Sequence, residues 1–133
     1  MSASGIRHGV DLVDVEHLRS VMARHAPFAE RVFTAAERDY CERYPDPLPH
    51  YAGRFAVKEA TLKALGIGIT PFGIDRALQD IELVRRGRAP AIELRGRPAR
   101  VARALGVTDR AVSITHDAGR ALASVVLLAE TSA

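Results

Sequence analysis

Apolar positions near the start of the chain change period at Asp14. Over residues 7–13, Val10 and Leu12 share one face and Asp11 lies on the other, the two-residue alternation of a strand. Beyond it, Val15, Leu18, Val21 and Met22 recur at helical spacing and predict a helix over about 14–24. Pro27 separates that helix from a short segment, 28–33. Thr34-Ala35-Ala36-Glu37 then has the form of a capping box, opening a helix that runs to about 43. Pro45, Pro47 and Pro49 form a breaker that no helix or central strand crosses. It reads as a surface connection, because neither flanking half could build a core alone. Residues 50–65 give the strongest helix, with an apolar stripe of Ala52, Phe55, Ala56, Leu62 and Leu65 and a C-terminal cap at Gly66.

The second half alternates. Residues 80–84 and 91–94 read as strands joined around Arg86-Gly87-Arg88, and Pro98 opens a helix that Gly106 closes. Residues 111–115 and 122–128 make a last pair of strands joined through Asp117-Ala118-Gly119. No internal repeat or low-complexity tract interrupts this order. The order βααα-ββαββ predicts an α+β fold, a mostly antiparallel sheet packed by helices. It forms a single domain over residues 1–133, with its core at about 6–129.

Composition agrees with that plan. The chain has 133 residues, 47% hydrophobic and 26% charged, proportions that permit a packed core. No apolar run approaches a bilayer span, and the first residues lack the basic-then-apolar pattern of a secretory signal. A lone Cys41 excludes an internal disulfide and a cysteine zinc knuckle. A cytoplasmic protein that spans no membrane is expected. The net charge of +3 and pI of about 9.5 suggest a phosphate-bearing or acidic partner without choosing one. Of the 19 basic residues only Lys58 and Lys63 are lysine, and both fall in Lys58-Glu59-Ala60-Thr61-Leu62-Lys63. A genome that favours Arg explains the scarcity of lysine, not the clustering.

Three places could carry chemistry. Glu59 and Lys63 stand four apart on a helix, the spacing of an ordinary surface ion pair. On the helical wheel, however, Glu59 falls between Phe55 and Leu62, so its carboxylate is expected to be at least half buried and to need a partner, a metal or a ligand. Asp11, within a strand of valines and leucines, ends the strand at solvent, pairs with an arginine, or coordinates a metal. Two such carboxylates suit Mg²⁺, which completes its shell with water and substrate phosphates. His116 closes Ser113-Ile114-Thr115-His116 at a strand end, where a side chain can reach a cleft; a satisfied structural histidine is the alternative. The remaining histidines have no zinc spacing, Ser113 has no nucleophile elbow, and Gly66-Ile67-Gly68 is too short for a Walker or Rossmann loop.

Taken together, three ordered blocks resemble the holo-[acyl-carrier-protein] synthases, the small 4′-phosphopantetheinyl transferases. They are Gly9-Val10-Asp11-Leu12-Val13, the run from Gly53-Arg54-Phe55 through Lys58-Glu59 and Lys63 to Gly66-Ile67-Gly68, and Val112-Ser113-Ile114-Thr115-His116. Residues 28–34, Glu37 and Asp80-Ile81-Glu82 add to the likeness, which runs from about 6 to 129. The resemblance implies a Mg²⁺-dependent transfer of 4′-phosphopantetheine from coenzyme A to a serine of an apo acyl carrier protein, releasing adenosine 3′,5′-bisphosphate. It implies Asp11 and Glu59 as metal ligands and, with Lys63, as the catalytic set. Lys63 would contact the CoA phosphates, Arg54 and His116 the nucleotide, and Gly66 and Gly68 would border its pocket. The general base is either Glu59 itself or a metal-bound water held by a carboxylate. It also implies a homotrimer with active sites between subunits, Asp11 and His116 facing Glu59 of a neighbour. An acidic carrier would meet the basic first helices, with Arg19, Arg24 and Arg31 as candidates. His17 stands where the family often has an arginine, and Arg7-His8 depart from its usual glycine-rich start. The competing readings are a CoA-binding homologue that has lost catalysis and a small RNA-binding domain. Aromatics of only 5% and no Trp leave the RNA reading few stacking platforms, so no nucleic-acid partner is expected.

Overall fold

The computed structural model describes residues 2–68 and 74–132. Its elements are β1 (Ser2–Asp14), α1 (Val15–Arg24), α2 (Phe28–Val32), α3 (Ala35–Glu42), α4 (Leu48–Leu65), α5 (Ile74–Gln79), β2 (Ile81–Arg86), β3 (Ala89–Leu94), α6 (Gly96–Leu105), β4 (Val107–Asp117) and β5 (Arg120–Ser132). The α+β expectation holds, with every strand pairing antiparallel. The strands divide into a three-stranded sheet ordered β1-β5-β4 and a separate β2-β3 hairpin.

Helix α4 lies against the inner face of the larger sheet and is the centre of the molecule. Ala52, Ala56, Val57, Ala60, Leu62, Ala64 and Leu65 pack with Val13, Ala121, Ala123, Val125 and Leu127 of the sheet. The small side chains on both surfaces allow helix and sheet to approach closely. Burial wraps almost the whole helix rather than one stripe. Phe55 and Glu59 are only partly buried and Lys63 is exposed, and their four-residue spacing makes one open line along the helix. The expectation of a half-buried Glu59 agrees with its intermediate burial, with Leu62 in the core and Phe55 packed against it. The helix also begins at Leu48, inside the proline run, because Pro49 sits in its first turn where no amide hydrogen is needed.

Two connections fix the frame. The Thr34 capping box is present: Thr34 Oγ1 accepts from the Glu37 amide, and Glu37 Oε1 from the Thr34 amide at 3.0 Å. The β4–β5 hairpin turns through Ala118 and Gly119, both at positive φ (50° and 75°), the geometry that matches strand twist. The Gly119 carbonyl accepts from the Val15 amide at 2.9 Å, which ties this turn to the start of α1. No helix of the described residues is long and apolar enough to cross a membrane.

Candidate active site

Strand β1 meets α4 backbone to backbone at Gly9. A Cβ there would overlap the Ala60 carbonyl and stand 2.8 Å from the Ala64 amide nitrogen. Glycine is thus required for the contact rather than for a turn, and it draws Asp11, two residues on, to the open line of the helix. Lys63 Nζ donates to Asp11 Oδ1 at 3.1 Å and to the Val10 carbonyl at 3.0 Å. The Asp11 side chain is 17% exposed and that of Lys63 is 53% exposed. Burial and, second to it, the Asp11 charge raise the Glu59 carboxyl above its ordinary range, and Lys63 opposes both. Asp11, Glu59 and Lys63 of one chain therefore form a single cluster, and Asp11 needs no neighbouring subunit to face Glu59. Lys63 bonds Asp11 across the strand–helix contact rather than forming the helical pair with Glu59 that its spacing allows.

The arrangement can hold a hard cation between two carboxylates that repel each other, leaving further positions for phosphate oxygens and water. Among the described residues no group of three or more His, Cys, Asp or Glu could hold a metal. This limits the candidate to that two-carboxylate edge.

The other residues assigned to a nucleotide gather nearer the start of α4. Gly53 makes room for His116: a Cβ on Gly53 would stand 3.2 Å from His116 Nε2, which donates to the Pro49 carbonyl at 3.1 Å. Arg54, His116, Tyr40, His50, Arg85 and Pro90 are among the walls of a cavity of about 350 Å³. Among the described residues, no carboxylate lines it. The buried Arg54 guanidinium lies 4.0 Å from the Tyr40 ring centre. Burial first, then the charges of Arg54 and His116, hold the His50 imidazole below its usual range. Ten residues of helix separate Gly53 from Lys63, about 15 Å along the axis. The nucleotide candidates and the carboxylate edge are thus distinct regions of one chain. Asp117 lines a different, shallower cleft with Arg19, Asp46 and Arg120, so its charge does not enter the Arg54 cavity.

Gly66 ends α4 at φ 72°, and the Arg7 guanidinium occupies the space beside it while Arg7 Nε donates to the Ala64 carbonyl at 2.8 Å. Among the described residues, nothing lies within 4 Å of a Cβ placed on Gly68. The candidate carrier-binding residues differ among themselves. Arg19 is held by Asp46 and Glu16, with its closest contact to Asp46 Oδ2 at 2.8 Å. Arg24, Arg31 and His17 are exposed, and Arg24 and Arg31 make no ion pair among the described residues.

Lys58, which the sequence left without a contact, is fully buried. Its ammonium donates to Glu37 Oε1 at 2.7 Å, to the Leu78 carbonyl at 2.8 Å and to the Ile81 carbonyl at 2.5 Å. Tyr40, His50 and Arg85 were also not found from sequence. Arg85 had one available signal, its place beside the Arg86-Gly87-Arg88 turn. Tyr40 and His50 had none, since only the tertiary fold brings them to Arg54.

Comparison with known proteins agrees with this geometry. Residues 7–117 match the 4′-phosphopantetheinyl transferase superfamily. A holo-[acyl-carrier-protein] synthase of Anaeromyxobacter dehalogenans is 44% identical over 90% of this chain and 92% of its own length. Among solved structures, the ACPS–CoA complex of Chronobacterium ammoniagenes superposes with a TM-score of 0.79 at 30% identity, over 92% of this chain and 96% of that one. A Helicobacter pylori holo-[acyl-carrier-protein] synthase in complex with coenzyme A gives a TM-score of 0.73 at 31% identity, over 90% and 98%. The fold and the matched span agree: this chain belongs to the 4′-phosphopantetheinyl transferase superfamily.

Proposed function

We propose that this chain is a holo-[acyl-carrier-protein] synthase. It transfers 4′-phosphopantetheine from coenzyme A to a serine of an apo acyl carrier protein and releases adenosine 3′,5′-bisphosphate. The observation that carries the reading is the cluster of Asp11, Glu59 and Lys63 where β1 touches α4. The serine hydroxyl attacks the phosphorus that bears the pantetheine arm, and the bond to the bridging oxygen of the diphosphate breaks. Charge grows on the departing bisphosphate, and a lysine placed there stabilises it. Lys63 suits that role as a compact charge on a flexible, half-exposed stem that can turn from Asp11 to a phosphate. The serine proton would be taken either by Glu59 or by a metal-bound water that a carboxylate holds.

We assign Mg²⁺ to Asp11 and Glu59. Two close carboxylates with only a partial counter-charge fit a hard cation, which when bound would neutralise diphosphate charge. Arg54 and His116 bind the nucleotide, Gly66 and Gly68 border its path, and Arg24 and Arg31 are the cations best placed for an acidic carrier.

A homotrimer is supported by the outer face of the large sheet, which a single chain leaves uncovered. Ile6, Val10 and Leu12 of β1 are exposed there beside Val126 and Leu128 of β5. A patch of this kind marks an interaction surface. With buried Cys41 as its lone thiol, the chain fits work in the reducing cytoplasm.

Incubation with MgCl₂, CoA and an apo carrier should add one phosphopantetheine arm to the carrier, read by intact mass. Glu59→Gln should slow transfer by about 10³-fold while leaving the fold intact. A panel of carriers that all stay unmodified while the protein still binds CoA would instead establish a CoA-binding homologue without catalysis.

A further inference from the structure

Strands β3 and β4 belong to different sheets and share no ladder, and α6 carries the chain from one to the other. Ala99 and Ala102 of that helix face the gap, and side chains so small leave it unfilled. A cavity of about 500 Å³ results, within the size range of small-molecule sites. Pro90, Ile92 and Leu94 of β3 and Val107 and Val112 of β4 make its walls. Ile92 is buried, whereas Leu94, Val107 and Val112 are only partly covered. Among the described residues, no aromatic ring lines the cavity. The end of α6 is pinned beside it: the Gly106 carbonyl accepts from the Glu130 amide at 2.8 Å, and a Cβ on Gly106 would overlap the Glu130 carbonyl. Arg86, Arg103 and Arg110 stand exposed at the rim. Arg86 is paired with Glu93 at 3.2 Å, while Arg103 and Arg110 make no ion pair among the described residues. Asp109, the lone carboxylate among the described lining residues, accepts from the Arg110 amide at 2.8 Å.

We propose that this cleft binds a free fatty carboxylate of medium chain length, at a site separate from the Arg54 cavity and independent of the function proposed above. The aliphatic chain covers Leu94, Val107 and Val112, apolar surface that folding leaves in contact with water. The carboxylate meets Arg103 and Arg110, whose guanidinium groups match it in charge and shape. From Pro90 to Leu94 the β3 wall is about 13 Å long, the reach of a medium chain. Aliphatic walls give a flat base nothing to stack on, whereas a flexible chain fits them by dispersion contact. A bare anion would leave the walls wet, and a neutral chain would leave the two arginines unpaired. Pro90 borders both cavities, but Arg54, His50 and His116 line only the other.

The test is a calorimetric titration of the full chain with decanoate below its micellar range. Binding should saturate at one decanoate per chain. Decanol, which lacks the charge, and inorganic phosphate, which lacks the chain, should each bind about tenfold more weakly or less. Ala99→Leu keeps a good helix former and fills the cavity from α6, so it should abolish binding while circular dichroism stays as in the wild type. Arg103→Gln combined with Arg110→Gln should weaken binding about tenfold. That pair alters exposed side chains alone, so it tests the site even where Ala99→Leu is unstable. Saturating CoA should leave the decanoate affinity unchanged. Decanol binding as tightly as decanoate, full affinity in either variant, or displacement by CoA would overturn the proposal. Co-sedimentation with phosphatidylglycerol vesicles without binding of free decanoate would overturn it in favour of a lipid-surface contact. None of these outcomes bears on transfer to a carrier.

Discussion

Lys58 and Lys63 stand five residues apart on one helix and meet opposite surroundings. Lys58 is wholly buried, and its ammonium is shared by a carboxylate and two carbonyls. Lys63 is half exposed and bonds one carboxylate and one carbonyl at the edge of the site. Burial depresses the Lys58 pKa, and the Glu37 charge opposes that shift. The first lysine joins elements of the fold, and the second stands where a substrate can displace its partner. Neighbouring positions in a motif can thus contribute separately to structure and to chemistry.

That contrast can be broken experimentally. The largest effect on stability is expected from Lys58→Met, which leaves the Glu37 carboxylate buried and unpaired. Unfolding in urea should show a loss of about 3–5 kcal/mol. Adding Glu37→Gln should recover about half of it, and a Lys58→Met protein as stable as the wild type would remove the distinction. Lys63→Met should leave stability within about 1 kcal/mol of the wild type but lower kcat about 10²-fold. Lys63→Arg should stay about tenfold below the wild type, because a planar fork replaces a point charge. Near-normal turnover in that variant would show that charge alone suffices.

Gly9→Ala tests the contact that separates the two regions. Its methyl group must push β1 from α4, at a cost of about 1–3 kcal/mol, and a Mg²⁺ titration of activity should shift to higher concentration. The smallest effect is expected from Glu59→Gln measured for stability without metal. The folded-state pKa of Glu59 is raised, so its favourable contribution is complete at acid pH and is lost as pH rises through that pKa. The variant should therefore match the wild type in acid and show a slightly higher Tm at neutral pH. A lower Tm there would place Glu59 in a stabilising ion pair.

The sequence made α4 legible because its apolar spacing, its proline start and Gly66 all point to one helix. The Thr34–Glu37 cap was legible for the same reason, since local side chains bond local amides. The ends of the strands were less visible. In β4, Asp109 and Arg110 extend the strand beyond its apolar core because Leu128 and Leu127 of β5 supply their partners, which no alternation along one segment records. Helix α5 was missed at residues 74–79, being too short for a period to show. Within the site, Asp11, Glu59 and Lys63 were readable from charge in apolar surroundings and from resemblance. The Glu37–Lys58 pair and the Tyr40–His50 wall were not, since each joins residues that only the fold makes neighbours.

Glu37 shows what such a junction does to the molecule as a whole. One carboxylate closes the start of α3, holds Lys58 of α4 and accepts the Leu83 amide of β2 at 3.2 Å. None of these three elements can detach without breaking bonds to the other two. Opening of this region is therefore all-or-none, and the Leu83 amide should exchange its hydrogen only when the whole domain unfolds.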